Sequence, residues 1–145
     1  MTERARHHRV LLDTGPLVAI VAPNEVDHEL CVATLPDVQP PLLTCWPVLT
    51  EAAWLLRRDH AATKRMLQGA QTGFFTLLPL MDIDLSDIEV LHSRYSDLNT
   101  QLADLALLHL AQRENIDTVF TLDRRDFGVF RLKGKRRLRL IPEIE

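Results

Sequence analysis

The chain has 145 residues, 46% of them hydrophobic and 26% charged, with a formal net charge of -3. That length predicts one domain, and the apolar content excludes intrinsic disorder. No apolar run approaches the roughly 20 residues that span a bilayer, and the N-terminus lacks the apolar core of a secretory signal, so a cytoplasmic protein outside the membrane is predicted.

Residues 1–9 read as a polar, basic extension carrying Arg4, Arg6 and Arg9, with His7 and His8 in a tail. Val10-Leu11-Leu12 predicts a buried strand that ends at Asp13. Pro16 to Val21 continues as a short helix, and Asp27 can cap another that runs to about Leu35. Pro40-Pro41 breaks the chain before a second strand, Leu42-Leu43-Thr44, and Pro47 opens a helix carrying Glu51. Thr63 to Gly73 reads as helical, ending at glycine. Phe75 to Leu80 is a third strand candidate, and Ser86 with Glu89 matches a capping box for a helix through Tyr95. Leu102 to Arg113 is a strongly apolar helix, Thr118 to Thr121 a fourth strand ending before Asp123, and Leu138 to Ile141 a fifth at an edge. Alternating strands and helices predict an α/β fold with a mostly parallel sheet of about five strands and helices on both faces. Ligands in such folds bind at the carboxyl ends of the strands, where Asp13 and Asp123 fall.

Cys31 and Cys45 form no metal-ligand pair and read as small buried residues. The histidines show no HExxH spacing, so a zinc site is not expected. No GxSxG, Walker-type or GxGxxG motif occurs.

Several acids stand isolated among apolar neighbours. Asp13 is the only charged residue between Arg9 and Glu25, Glu51 the only one between Asp37 and Arg57, and Asp104 the only one between Asp97 and Arg113. Glu51 and Asp104 have no Lys or Arg at i±3 or i±4. Each acid therefore needs a distant partner, a raised pKa or a cation. Taken singly, each reads equally well as a cap or turn residue, or as the partner of a distant arginine. Taken together with Asp123, two acids at strand ends and two on apolar helices can converge on one sheet edge. Oxygen-only ligation suits Mg²⁺ or Mn²⁺. A carboxylate cage of that kind serves phosphoryl transfer to water.

The segments Leu11-Leu12-Asp13-Thr14-Gly15-Pro16-Leu17, Val48-Leu49-Thr50-Glu51-Ala52, Leu102-Ala103-Asp104-Leu105-Ala106 and Thr121-Leu122-Asp123-Arg124-Arg125-Asp126-Phe127 resemble, in order and spacing, the PIN-domain family. The chain length is similar to that of the VapC-type toxin ribonucleases of toxin–antitoxin systems. The resemblance implies a PIN-like three-layer α/β/α sandwich over a single domain, 1–145, and a Mg²⁺- or Mn²⁺-dependent endoribonuclease acting on an RNA substrate. It implies metal-binding and catalytic roles for Asp13, Glu51, Asp104 and Asp123, supported by Thr14 and Thr121. It also implies a homodimer and a small antitoxin partner. Where close relatives often carry a further aspartate, this chain has Gln101, so Asp126 or Asn99 is a candidate replacement. Two alternatives follow: a catalytically weak RNA-binding module, and a nuclease of RNA processing without a toxin role.

Arg131, Lys133, Lys135, Arg136, Arg137 and Arg139 crowd residues 131–140, with no acid. They read equally as a solvated edge strand or as phosphate contacts. Arg124 and Arg125 are candidate phosphate clamps, or neutralise Asp126 and Asp117. Trp46, Trp54, Phe74 and Phe75 read as core or dimer contacts, with base stacking as the alternative. Leu30, Leu35, Leu55 and Leu56 are candidates for an apolar groove. Residues 10–130 hold 17 acids against eight Lys+Arg, so the small net charge hides an acidic body with basic ends.

Overall fold

A computed structural model describes residues 6–143; Arg4 and Glu145 lie outside the described residues. Five strands form one sheet: β1 (Val10–Leu12), β2 (Leu42–Thr44), β3 (Phe75–Leu77), β4 (Thr118–Phe120) and β5 (Arg139–Ile141). Their order is β3-β2-β1-β4-β5 and every pairing is parallel. β1 lies at the centre, with Leu11 opposite both Leu43 and Val119. All three of its residues are buried, as a strand covered on both faces requires.

Helices α1 (Thr14–Val21) and α2 (His28–Thr34) connect β1 to β2; α3 (Trp46–Leu55) and α4 (His60–Gln68) connect β2 to β3. Helices α5 (Leu85–Arg94) and α6 (Leu102–Glu114) carry the chain from β3 to β4, and α7 (Arg124–Val129) precedes β5. From β1 the first two crossovers step one way along the sheet; the later ones step the other way. With right-handed crossovers, that reversal puts α1–α4 on one face and α5–α7 on the other. It also makes the carboxyl ends of β1 and β4 the switch point of the sheet, where a crevice opens.

Helix α6 runs through the core: Ala103 to Ala111 are all buried. Such a helix is apolar around its whole circumference, which makes Asp104 within it conspicuous. Phe75, Phe120, Phe127 and Phe130 fill the remaining interior. Phe130 packs its ring 4.8 Å from Tyr95 and 5.1 Å from Phe127.

Several boundaries differ from the sequence expectations. The fourth helix begins at His60, because Asp59 accepts the Ala62 N–H, and it stops at Gln68 with Gly69 as its cap. Gly73 instead takes a positive φ of 80° in the turn that follows. The third strand ends at Leu77. Ser86 does not cap α5; Asp84, earlier in the chain, accepts the Met81 N–H instead. Residues 124–129, given no element from the sequence, form α7, a helix whose apolar residues are too few for a periodic pattern. His7 is not in a free tail: its N–H donates to the Asp37 carbonyl, and its carbonyl accepts from Gln39. Most of the basic stretch forms a turn closed by Leu132 N–H to the Arg136 carbonyl, leaving Arg139–Ile141 as the edge strand. Trp46 and Trp54 are not core: they are 66% and 64% exposed. Phe75 is core, and Phe74 packs partly buried against it. Of the leucines expected to share a groove, Leu56 is buried and Leu35 partly so, while Leu30 and Leu55 are exposed. Both cysteines are free and buried.

Candidate active site

At the switch point, Asp13, Thr14, Gly15, Glu51, Leu55, Gln101, Asp104, Leu122 and Asp123 line one cavity of about 340 Å³. No lysine, arginine or histidine lines it. Four acids from four separate parts of the chain are thus brought together without a compensating cation among the described residues.

Each acid is placed by backbone or hydroxyl donors. Asp13 follows β1 directly, and its N–H donates to the Phe120 carbonyl, which ties it to β4. It is the N-terminal flank of α1, yet its side chain makes no cap bond to that helix. Its Oδ2 accepts instead from the Thr121 hydroxyl at 2.7 Å. The Thr121 oxygen in turn accepts the Asp123 N–H at 2.9 Å. Asp123 Oδ1 accepts the Asp126 N–H at 3.0 Å and caps α7. Glu51, on α3, accepts the Thr14 hydroxyl on Oε2 at 2.8 Å. Asp104, in the first turn of α6, accepts the Gln101 N–H on Oδ2 at 3.1 Å. Carboxylate oxygens of Asp104, Asp123 and Asp126 lie within 4.8 Å of one another.

Crowding and burial raise the proton affinity of the site. Asp13 is pushed up to about 6, first by burial and further by the charges of Glu51 and Asp123, against the pull of the Thr121 hydroxyl and the Thr14 N–H. Asp104 is pushed up to about 7, by burial first and then by the charge of Asp13, with Glu51 and Asp123 adding to it against the Gln101 N–H. A carboxylate that is desolvated among other carboxylates resists ionisation. A bound hard cation relieves that penalty, and the oxygen-only donor set fits Mg²⁺ or Mn²⁺.

The other candidates fall elsewhere. Gln101 lines the cavity. Asp126 joins the acid cluster. Asn99 is exposed in the loop before α6 and does not line the cavity. Arg124 does not line the cavity, and its guanidinium donates to the Pro142 carbonyl. Arg125 is exposed and does not line the cavity. Arg131 donates to the Gly128, Val129 and Phe130 carbonyls at the end of α7. With Lys133 and Lys135 it lines a separate cavity beside Tyr95 and Gln112. Arg136 and Arg137 are exposed and do not line the acidic cavity.

No sequence signal marks one side-chain cluster, nor the place of two tryptophans beside the acidic cavity. Asp84 meets His109 Nε2 at 2.8 Å and Arg113 at 3.1 Å in a buried cluster. Trp46 and Trp54 line a groove of about 510 Å³ that shares Glu51 and Gln101 with the acidic cavity.

A family model described as "PIN domain" matches residues 10–131. A curated relative, "Ribonuclease VapC26" of Mycobacterium tuberculosis, is 27% identical over 135 residues, covering 92% of this chain and all of that one. The fold is similar to the crystal structure of Mycobacterium tuberculosis VapC20, titled a sarcin-ricin loop cleaving toxin. The TM-score is 0.74 at 14% identity, over 83% of this chain and 95% of that one.

Proposed function

The chain belongs to the PIN-domain family, and from that premise we propose that it is a divalent-metal-dependent endoribonuclease, the toxin of a toxin–antitoxin pair. The observation that carries the proposal is the convergence of Asp13, Glu51, Asp104 and Asp123 on one cavity at the β1/β4 switch point. The ribonuclease name of the VapC26 relative supports RNA as the substrate.

In this reading Asp104, Asp123 and Asp126 hold a Mg²⁺ or Mn²⁺ ion with Asp13 beside them, and Glu51 completes the acidic set. Such an ion supplies acidification of water and neutralisation of charge on a phosphodiester. The chain's own residues set the geometry. The Thr121 hydroxyl locks one oxygen of Asp13, and the Thr14 N–H draws on the same carboxylate. The Thr14 hydroxyl fixes one oxygen of Glu51, and the Gln101 N–H one of Asp104. Fixed carboxylates beside a phosphodiester accept the proton of the attacking water as its oxygen bonds to phosphorus and the ester P–O bond breaks.

The single domain spans 1–145 and acts as a homodimer neutralised by a small antitoxin. No helix among the described residues is long and apolar enough to cross a membrane; a cytoplasmic site of action belongs to the same proposal. The test is incubation of antitoxin-free protein with RNA and Mg²⁺ or Mn²⁺, with EDTA as control. Metal-dependent cleavage that Asp13→Asn abolishes is expected; its absence in folded protein overturns the assignment. Growth arrest on expression, relieved by a neighbouring small gene, separates a toxin from a nuclease of RNA processing.

A further inference from the structure

The acidic cavity cannot by itself hold RNA well. Its walls carry four carboxylates and no cation, and the body around it is acidic. Like charge repels a phosphodiester, and one bound cation offsets that only in part. The basic stretch does not reach the cavity walls. Affinity for the substrate therefore needs contacts beside the site, among them ones that do not depend on charge. One surface next to the cavity offers them. Helix α3 presents Trp46, Thr50 and Trp54 at i, i+4 and i+8, along one face. Both indoles line a groove whose wall includes Glu51 and Gln101, residues of the acidic cavity itself. The opposite wall is Leu102, 59% exposed. Both residues remain about two-thirds exposed, leaving two large aromatic side chains side by side in water. Arg57 lies over the Trp54 ring, 4.0 Å from its centroid, and is tethered by a bond to the Trp54 carbonyl. The guanidinium thus rests on the Trp54 indole at the edge of the groove, exposed and able to meet a phosphate.

We propose that Trp46 and Trp54 form a stacking subsite for an unpaired nucleobase next to the scissile phosphodiester of an RNA. The proposal rests on the endoribonuclease reading of the acidic cavity and adds how the site holds its substrate. A π-face accepts any base, so the subsite selects single-stranded RNA over duplex without reading sequence. The side-chain amide of Gln101, at the seam of the two cavities, is the group placed to touch a base edge.

The chain contains two tryptophans in all, so indole fluorescence, excited selectively over Tyr95, reports on this groove alone. Titration of the whole protein in EDTA with a single-stranded oligoribonucleotide is expected to quench the emission, and the same length of abasic ribose-phosphate is not. In the cleavage assay, Trp54→Ala should raise KM by about 5- to 150-fold, more than it lowers kcat, and Trp54→Phe should restore most of the loss. Wild-type cleavage with no quenching and an unchanged KM in Trp54→Ala overturns the subsite while leaving the nuclease assignment standing. Base-dependent quenching without any metal-dependent cleavage supports the subsite and removes the nuclease. Emission that shifts with protein concentration and ignores RNA places the indoles between two protein surfaces and overturns the proposal.

Discussion

The Thr121 hydroxyl donates to Asp13 Oδ2 at 2.7 Å, joining the ends of β1 and β4 across 108 positions of sequence. The same oxygen accepts the Asp123 N–H, so one hydroxyl sets two of the acids. Thr121→Val keeps the shape and removes both bonds. Leaving a buried carboxylate and N–H short of partners should cost about 1–3 kcal/mol of stability, read by urea unfolding. The rate of RNA cleavage should fall as well, and Thr121→Ser should recover both. Stability equal to wild type would show that the hydroxyl bears no strain of the crowded acids.

Asp13→Asn separates chemistry from folding. Thr121 can donate to the amide oxygen as it does to the carboxylate, so the local geometry persists. The charge that burial disfavours is gone. Because Asp13 is raised to about 6, the metal-free variant at pH 7.5 should be more stable than wild type, by about 1–3 kcal/mol. Urea unfolding in EDTA measures this. A destabilised variant would mean that the ionised form is favoured in the fold, against its burial.

The pH dependence of the metal-free protein follows from three carboxyls. Asp13 and Asp104, raised to about 6 and about 7, keep protons in the folded chain that the unfolded chain has released. Their contribution to stability is therefore full at acid pH and falls as pH rises between about 4 and 7. Asp84 has the opposite sign. The Met81 N–H, His109 and Arg113 hold it down to about 2, so its contribution is present above its ordinary value and is lost as pH falls towards 2. Stability without metal should peak near pH 4, roughly the ordinary carboxyl value, where both contributions hold. Mg²⁺ competes with protons for the same oxygens, so the rise in Tm that it causes should be larger at pH 8 than at pH 5. An equal rise at both would place the ion elsewhere.

The Asp84 cluster lies away from the acidic cavity and should act on stability alone. Asp84→Ala strands His109 and Arg113 and uncaps the segment before α5. Its loss in Tm should exceed that of the neighbouring control Asp82→Asn, with cleavage by the folded fraction unchanged. The reverse order would assign Asp84 a role beyond folding.

These residues also show what the sequence could and could not reveal. Asp13, Glu51 and Asp104 were legible because each is alone in an apolar run, where a charge needs a reason. Val10-Leu11-Leu12 and Leu102 to Arg113 were legible because continuous burial leaves no polar face. Asp84 was not, since Asp82, Asp87 and Glu89 around it make a charged surface segment, and its partners lie more than 20 residues away. The bond from Arg124 to Pro142 was hidden for a similar reason: a carbonyl acceptor has no sequence signature. The exposure of Trp46 and Trp54 was hidden too, because periodicity marks an apolar face without showing whether anything covers it.

Gln101 gives the sharpest test of the cation site. It lines the acidic cavity, and its N–H, not its side chain, holds Asp104. Gln101→Asp therefore adds a carboxylate to the walls without disturbing that bond, at the N-terminal flank of α6, where aspartate is favoured. A fifth wall carboxylate repels the other four, so metal-free stability at pH 7.5 should fall and the pKa of Asp104 should rise further. The same repulsion favours a divalent cation, so Mn²⁺ affinity by titration calorimetry should rise by about tenfold, near 1.4 kcal/mol. Opposite changes in metal-free and metal-bound stability are the signature of a shared carboxylate cage. If Mn²⁺ affinity stays at the wild-type value while metal-free stability drops, Gln101 faces the acids but not the ion, and Asp126 is then the residue to replace in its stead.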